Sequence, residues 1–157
     1  MGLGPSTKET TKHHFKDPLI DLLAEQEDLD FCGIIVYGTS DNVTQKKKIS
    51  YRAGQMAIAC RPDGVIISLD GWGNYHVDYE NCINTIGKAG IPIVGLSFVG
   101  KSGQFVVKNK YMDTIVDINK SISGTETEII GENNKTVLDS RKAIAMLKIK
   151  MNKEKIL

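Results

Sequence analysis

Short apolar runs alternate with amphipathic stretches through the middle of this chain, and that alternation limits the available folds more than any other feature. Phe31-Cys32-Gly33-Ile34-Ile35-Val36-Tyr37, Val65-Ile66-Ile67-Ser68-Leu69 and Ile91 to Leu96 are short, apolar and bounded by charged or turn residues, the pattern of strands buried on both faces. Between the first two, Ile49, Ala53, Met56, Ala57 and Cys60 keep a helical spacing that Pro62 and Gly64 close. Between the second and third, Tyr79, Cys82, Ile83 and Ile86 do the same before Gly87 and Gly90. Strands alternating with helices predict a parallel α/β sheet with right-handed crossovers. The expectation is one three-layer domain, with a mostly parallel sheet of four or more strands and helices on both faces.

The flanks of this unit are more polar. Residues 1–16 have no apolar period and read as a polar N-terminal arm; residues 17–152 form the α/β domain and 153–157 a tail. The 157 residues suit a single core. Asp17 caps a helix with Pro18 at its first position, expected to end near Asp28. Beyond Ser97, Gly103 to Lys110 reads as a short helix, Thr114 to Ile118 as a fourth strand and Glu126 to Ile130 as an extended piece. Thr136 and Asp139 make a capping box for a last helix, in which Val137, Ile144, Leu147 and Met151 keep helical spacing.

Charge and cysteine content remove several function classes. A formal net charge of +1 gives no broad attraction to nucleic acid or anionic lipid, and Lys46-Lys47-Lys48 reads as a solvated helix face. No apolar run approaches the ~20 residues of a membrane span, and the first residues lack a signal-peptide core, so the chain is read as cytoplasmic. Cys32, Cys60 and Cys82 are odd in number and have no CxxC pair; they read as reduced thiols in core positions, and no metal site is expected. His13-His14 lacks a partner at ligand spacing.

In open α/β sheets, ligands bind beyond the carboxyl ends of the strands, which points to Gly38–Asn42, Asp70–Asp78 and Ser97–Gly103 as one shared rim. The middle loop is the richest. Gly71 and Gly73 permit close backbone approach, Trp72 and Asn74 offer a ring and an amide, and a helix N-terminus suits an anion such as an amino acid's carboxylate. His76 can move protons near neutral pH, and Asp70 or Asp78 can orient it or hold a substrate ammonium, so these three are the catalytic candidates. Thr39, Gly71, Trp72, Gly73, Asn74 and Ser97 are the substrate-binding candidates. The plainer alternative makes Asn74 and Asp78 helix caps, Trp72 a cover for the core edge and His76 a surface histidine.

Gly95-Leu96-Ser97-Phe98-Val99-Gly100-Lys101-Ser102 satisfies the phosphate-loop pattern GxxxxGK[ST] after a strand, with Lys101 in the phosphate-binding place. Gly103 and the β-branched pair Val106-Val107 make a poor start for the long helix that must follow such a loop. A P-loop-like nucleotide-binding protein is therefore a minor alternative.

Five segments carry a family likeness: GLGPSTKETT at 2–11, FKDPLIDLL at 15–23, GIIVYGTSD at 33–41, DGWGNYHVDYENCINTIGKAGIPIVGLSF at 70–98 and NKYMDTIVDINKSISGTETEIIGEN at 109–133. On these the chain resembles the D-proline reductase family, in particular the C-terminal part of its pyruvoyl-forming proprotein, which is related to the component B subunits of glycine, sarcosine and betaine reductases. The resemblance implies amino-acid fermentation, in which D-proline is reductively opened to 5-aminovalerate with electrons from a dithiol. It also implies partner subunits that carry the pyruvoyl group and a selenocysteine, with no cofactor in this chain. In the family the arm GLGPSTKETT follows the processed cysteine, whereas here only Met1 stands before Gly2. The expectation is a subunit or accessory paralogue, not catalytic alone, that binds a small-molecule amino acid; pairing of the chain into a homo-oligomer is open. A non-catalytic proline-binding, regulatory or scaffold protein of the same system is the alternative.

Overall fold

A computed structural model describes residues 17–69, 73–105, 107–125, 127, 129, 132 and 134–154. Its centre is a parallel sheet of three described strands, β1 (Val65–Ser68), β2 (Ile93–Ser97) and β3 (Ile115–Asp117), in the order β1-β2-β3. Val65 stands beside Ile93 and Ser68 beside Leu96, while Gly95 pairs with Ile115 and Ser97 with Asp117. Because side chains alternate along a strand, the sheet fills two separate cores.

On one face Ile67, Leu69 and Ile93 pack with Ala53 and Ala57 of helix α2 (Val43–Ala59) and with Tyr79, Cys82, Ile83 and Ile86 of helix α3 (His76–Gly87). On the other, Val94, Leu96, Val116 and Ile118 meet Leu19 of helix α1 (Pro18–Ala24) and Ala143, Ile144 and Leu147 of helix α4 (Val137–Glu154). Ile83, Val94 and Leu96 are completely covered, each contributing about 1.5–3 kcal/mol by leaving water. The α/β class, the parallel pairing and the placing of helices on both faces are thus as expected.

Local signals account for the helix starts. Asp17 Oδ1 accepts from the Leu19 amide 2.9 Å away, with Pro18 at the first position. Asn42 Oδ1 accepts from the Gln45 amide at 3.1 Å and begins α2. Thr136 and Asp139 exchange bonds, Thr136 N donating to Asp139 Oδ2 and Asp139 N to Thr136 Oγ1, so the capping box forms as read. Gly95 has a steric reason to be glycine: a Cβ there would lie 2.0 Å from Tyr79 Oη and 2.4 Å from Ile115 Cδ1.

Several expectations need correction. The sheet has three described strands, not four or more, because Phe31–Tyr37 is not a strand: it runs without regular structure, with Ile34 54% and Val36 66% exposed. The expected fourth strand near Thr114–Ile118 is therefore the third. The first helix stops at Ala24, short of Asp28, and Gly103–Lys110 forms no helix among its described residues. The buried side of α2 is Lys46, Ser50, Ala53, Gly54 and Ala57, which leaves Met56 and Cys60 exposed. Cys32 is exposed as well, so only Cys82 occupies a core position. Within the expected extended piece at 126–130, residues 126, 128 and 130 lie outside the described residues, as does the whole arm 1–16. Among the described residues no helix is long and apolar enough to cross a membrane, and no cluster of His, Cys, Asp and Glu is arranged to hold a metal ion.

Candidate functional site

Four buried polar side chains gather at the first turn of α3: His76 and Asp78 from the turn itself, with Ser97 and Lys46 against them. A single 3-10 turn, Gly73–Tyr75, leads into it, and Gly73 adopts φ +61°, a conformation glycine takes without strain. Among the described residues no side chain caps the helix: Tyr75 stands at the N-cap position without a capping bond, which corrects the reading of Asn74 and Asp78 as caps.

His76 is buried, contrary to the surface reading, and its Nε2 lies 3.3 Å from Ser97 Oγ at the carboxyl end of β2. Two of the expected rim residues thus meet. The Phe105 ring meets the imidazole edge-on at 4.6 Å and stacks on Tyr79 at 5.9 Å. Burial holds the imidazole below its ordinary value of 6.5, with the Phe98 backbone pulling weakly the other way. At neutral pH the ring is uncharged, so it can take a proton at one nitrogen while the other donates. Phe105 also lines a cavity of about 470 Å³ with Val99, Gly100, Lys108, Ile115 and Asp117, beyond the carboxyl ends of β2 and β3.

Asp78 points elsewhere. Its Oδ2 accepts from Lys46 Nζ at 2.7 Å, and both side chains are 0% exposed. Lys46 therefore does not belong to a solvated face. It sits under the Tyr75 ring, whose centroid is 5.1 Å from Nζ. Lysine in a KKK run is usually solvated, which hides Lys46 in the sequence; its signal is positional, since Lys46 keeps the i, i+4, i+7, i+11 spacing with Ser50, Ala53 and Ala57. Three buried atoms make no hydrogen bond among the described residues: His76 Nδ1, Asp78 Oδ1 and Tyr79 Oη. Such atoms call for water or a bound polar group.

The remaining candidates divide. Asp70, Gly71 and Trp72 lie outside the described residues. Asn74 is exposed, and Thr39 is exposed in the irregular segment with no contact that brings it to His76 or Ser97. Burial pushes the Tyr37 phenol well up, with the Cys82 thiol beside it adding to the shift, and burial pushes that thiol up to about 11. At neutral pH Cys82 is protonated and a poor nucleophile.

The Gly95–Ser102 loop does not behave as a phosphate loop. The amides of Val99 and Gly100 donate to the Asp117 carboxylate at 3.0 and 3.2 Å, so a carboxylate already fills the place a phosphate would take. The loop continues into the one-turn 3-10 helix Gly100–Ser102, not the long helix whose N-terminus such a site uses.

Residues 3–144 match the family model described as glycine/sarcosine/betaine reductase component B subunits. Over 154 residues the chain is 35% identical to the D-proline reductase proprotein PrdA of Acetoanaerobium sticklandii, covering 98% of this chain and 24% of that one. Over 106 residues it is 28% identical to the sarcosine reductase complex component B subunit alpha of Peptoclostridium acidaminophilum, covering 65% of this chain and 25% of the relative. The chain spans about a quarter of the length of the curated relatives it matches. No solved structure matches it significantly.

Proposed function

The chain belongs to the family of glycine/sarcosine/betaine reductase component B subunits, and from that premise we propose that it serves as a subunit or accessory paralogue of a D-proline reductase-type system. The observation that carries this reading is the match to the D-proline reductase proprotein over 98% of the chain. In the proposed reaction, a dithiol supplies two electrons and two protons, the ring C–N bond of D-proline breaks, and 5-aminovalerate and a disulfide result. The pyruvoyl carbonyl and the selenocysteine reside on partner subunits, where they supply the electrophile and the soft nucleophile. The cysteines described in this chain fit neither role well: Cys82 is buried and protonated, and Cys32 and Cys60 lie away from the His76–Ser97 pair in sequence with no contact to it.

This chain's own contribution is substrate binding. The cavity beside Phe105 receives the amino acid, the N-terminal end of α3 faces its anionic group, and neutral His76 on Ser97 holds or relays a proton. Gly73 and Asn74 frame that turn; Asp70, Gly71 and Trp72 stay substrate-side candidates by their place in the sequence alone. Thr39 joins only if its segment moves to the rim. Asp78 acts through its pairing with Lys46 and not as a free carboxylate.

Reconstituted D-proline reduction with and without this chain tests the role. A rate that rises on addition of the chain, and falls again with His76→Ala, is expected. An unchanged rate together with no co-purification would remove the complex-member reading. Binding of D-proline to the isolated chain without any effect on the reconstituted rate would favour a proline-binding regulator of the same system.

A further inference from the structure

The cavity beyond the carboxyl ends of β2 and β3 carries three charged side chains, Lys108, Asp113 and Asp117, and an apolar wall of Phe105, Met112 and Ile115. Its polar groups are not equally free. Asp113 is taken by Lys150, 2.6 Å away. Asn109 donates to the Glu80 carbonyl and carboxylate at 3.0 and 2.8 Å and accepts from the Tyr111 amide, so its hydrogen-bonding groups are used within the fold. Lys108 and Asp117 remain. Neither forms an ion pair among the described residues, and Lys108 meets the side-chain oxygen of Gln104 only at 3.5 Å. Asp117 is held by backbone amides: Oδ1 accepts from Val99 and Asn119, each at 3.0 Å, and Oδ2 from Gly100 at 3.2 Å. A carboxylate has about four acceptor positions, so Oδ2 keeps one for a ligand. The amides fix where the carboxylate sits without cancelling its full charge.

We infer that this cavity is a zwitterion site, in which Asp117 holds the amine of the substrate and Lys108 its carboxylate, with Phe105, Met112 and Ile115 around the apolar body between them. Both roles rest on the reading of the cavity as the substrate site. Two unmatched charges of opposite sign in one cavity favour a ligand that carries both, because a simple acid or a simple amine leaves one of them without a partner. Different elements fix the two sides. Asn109, next to Lys108, is tied to Glu80 of α3, so Lys108 adds its charge to the positive N-terminal half of that helix. Asp117 instead ends β3. Asp78, expected to hold an ammonium, is paired with Lys46, which leaves that role to Asp117.

Isothermal titration of the whole chain with D-proline, D-prolinamide and cyclopentanecarboxylate tests the two roles, because the amide lacks the carboxylate and the carbocycle lacks the amine. D-Proline should bind about tenfold or more tighter than either analogue. Asp117→Asn should weaken D-proline and D-prolinamide by about tenfold and leave cyclopentanecarboxylate unchanged. Lys108→Met should weaken D-proline and cyclopentanecarboxylate and leave D-prolinamide unchanged. If Asp117 served only to hold the Val99–Gly100 loop, its substitution would weaken all three ligands alike, and that result would overturn the inference. So would analogues that bind as tightly as D-proline, or D-proline binding that resists both substitutions. An analogue too weak to titrate supports the reading of charge by the cavity; Lys108→Glu, which makes both of the unmatched charges negative, should then turn the preference from D-proline to D-prolinamide, and no reversal would overturn it. A parent chain that binds neither D-proline nor its analogues removes the substrate-binding reading itself, whereas a chain that binds D-proline without the crossed pattern removes only the roles of Asp117 and Lys108.

Discussion

Replacing Lys46 by methionine keeps the aliphatic stem that packs within α2 and removes only the charge. Asp78 would then be left in the core at 0% exposure with both oxygens unpartnered, since Oδ1 already lacks a bond and Oδ2 has Lys46 Nζ at 2.7 Å. Removing one member of a buried pair costs about 3–5 kcal/mol, because the survivor is an uncompensated charge in a poorly polarisable site. A domain of this size has only about 5–15 kcal/mol in total, so the folding constant should fall by about two to four powers of ten. Urea unfolding followed by circular dichroism measures the loss. The informative partner is Lys46→Met/Asp78→Leu, which removes both charges and should recover most of the stability, to within about 1 kcal/mol of the parent or above it. A single variant that loses under ~1 kcal/mol would mean the pair is solvated like a surface bridge. A double variant no better than the weaker single would mean that Lys46 acts through packing. Either result refutes the reasoning.

Gly95→Ala should destabilise by about 1–3 kcal/mol, because the added Cβ would meet Tyr79 Oη at 2.0 Å and the backbone of a central strand cannot give way; Tyr79→Phe/Gly95→Ala, with the hydroxyl removed, should recover part of that in the same unfolding assay. Stability should also fall as the pH is lowered through the ordinary histidine range. His76 is held below 6.5 in the folded protein, so under acid the unfolded chain binds a proton that the folded one refuses. The contribution is constant above about pH 6.5 and declines below it, by at most about 1.4 kcal/mol per pH unit, until the folded-state value is passed. His76→Gln should flatten that part of the profile, and parallel curves for parent and variant would contradict the assignment.

Where burial is decided within a few residues of sequence, the fold was readable. The Asp17-Pro18 start, the Thr136–Asp139 box and the apolar faces of α3 and α4 are local, and each appears where its residues place it. Parallel β1 and β2 agree with the helix between them, because parallel neighbours need a crossover of about that length. At the site, His76 and Ser97 were readable as rim residues, since Ser97 ends β2 and His76 begins α3 at the carboxyl side of the sheet. That they touch, and that Asp78 turns away to Lys46, depends on a rotation of α3 against α2 that no single helix encodes.

The two large errors share one cause. A run such as Phe31–Tyr37 reports that its residues gain free energy by leaving water, not where they do so. The sequence reading assumed the domain's own sheet. Equally, the triplet Lys46–Lys48 was read by its average behaviour, although one position of every amphipathic helix must lie at the centre of its buried face whatever residue occupies it. On α2 that position is Lys46, and the chain meets the cost with Asp78 from the neighbouring helix, 32 residues away. Pairing across helices meets the cost of a charge placed in the core, whereas in the apolar run Tyr37 alone packs against the first core and Ile34, Ile35 and Val36 stay exposed.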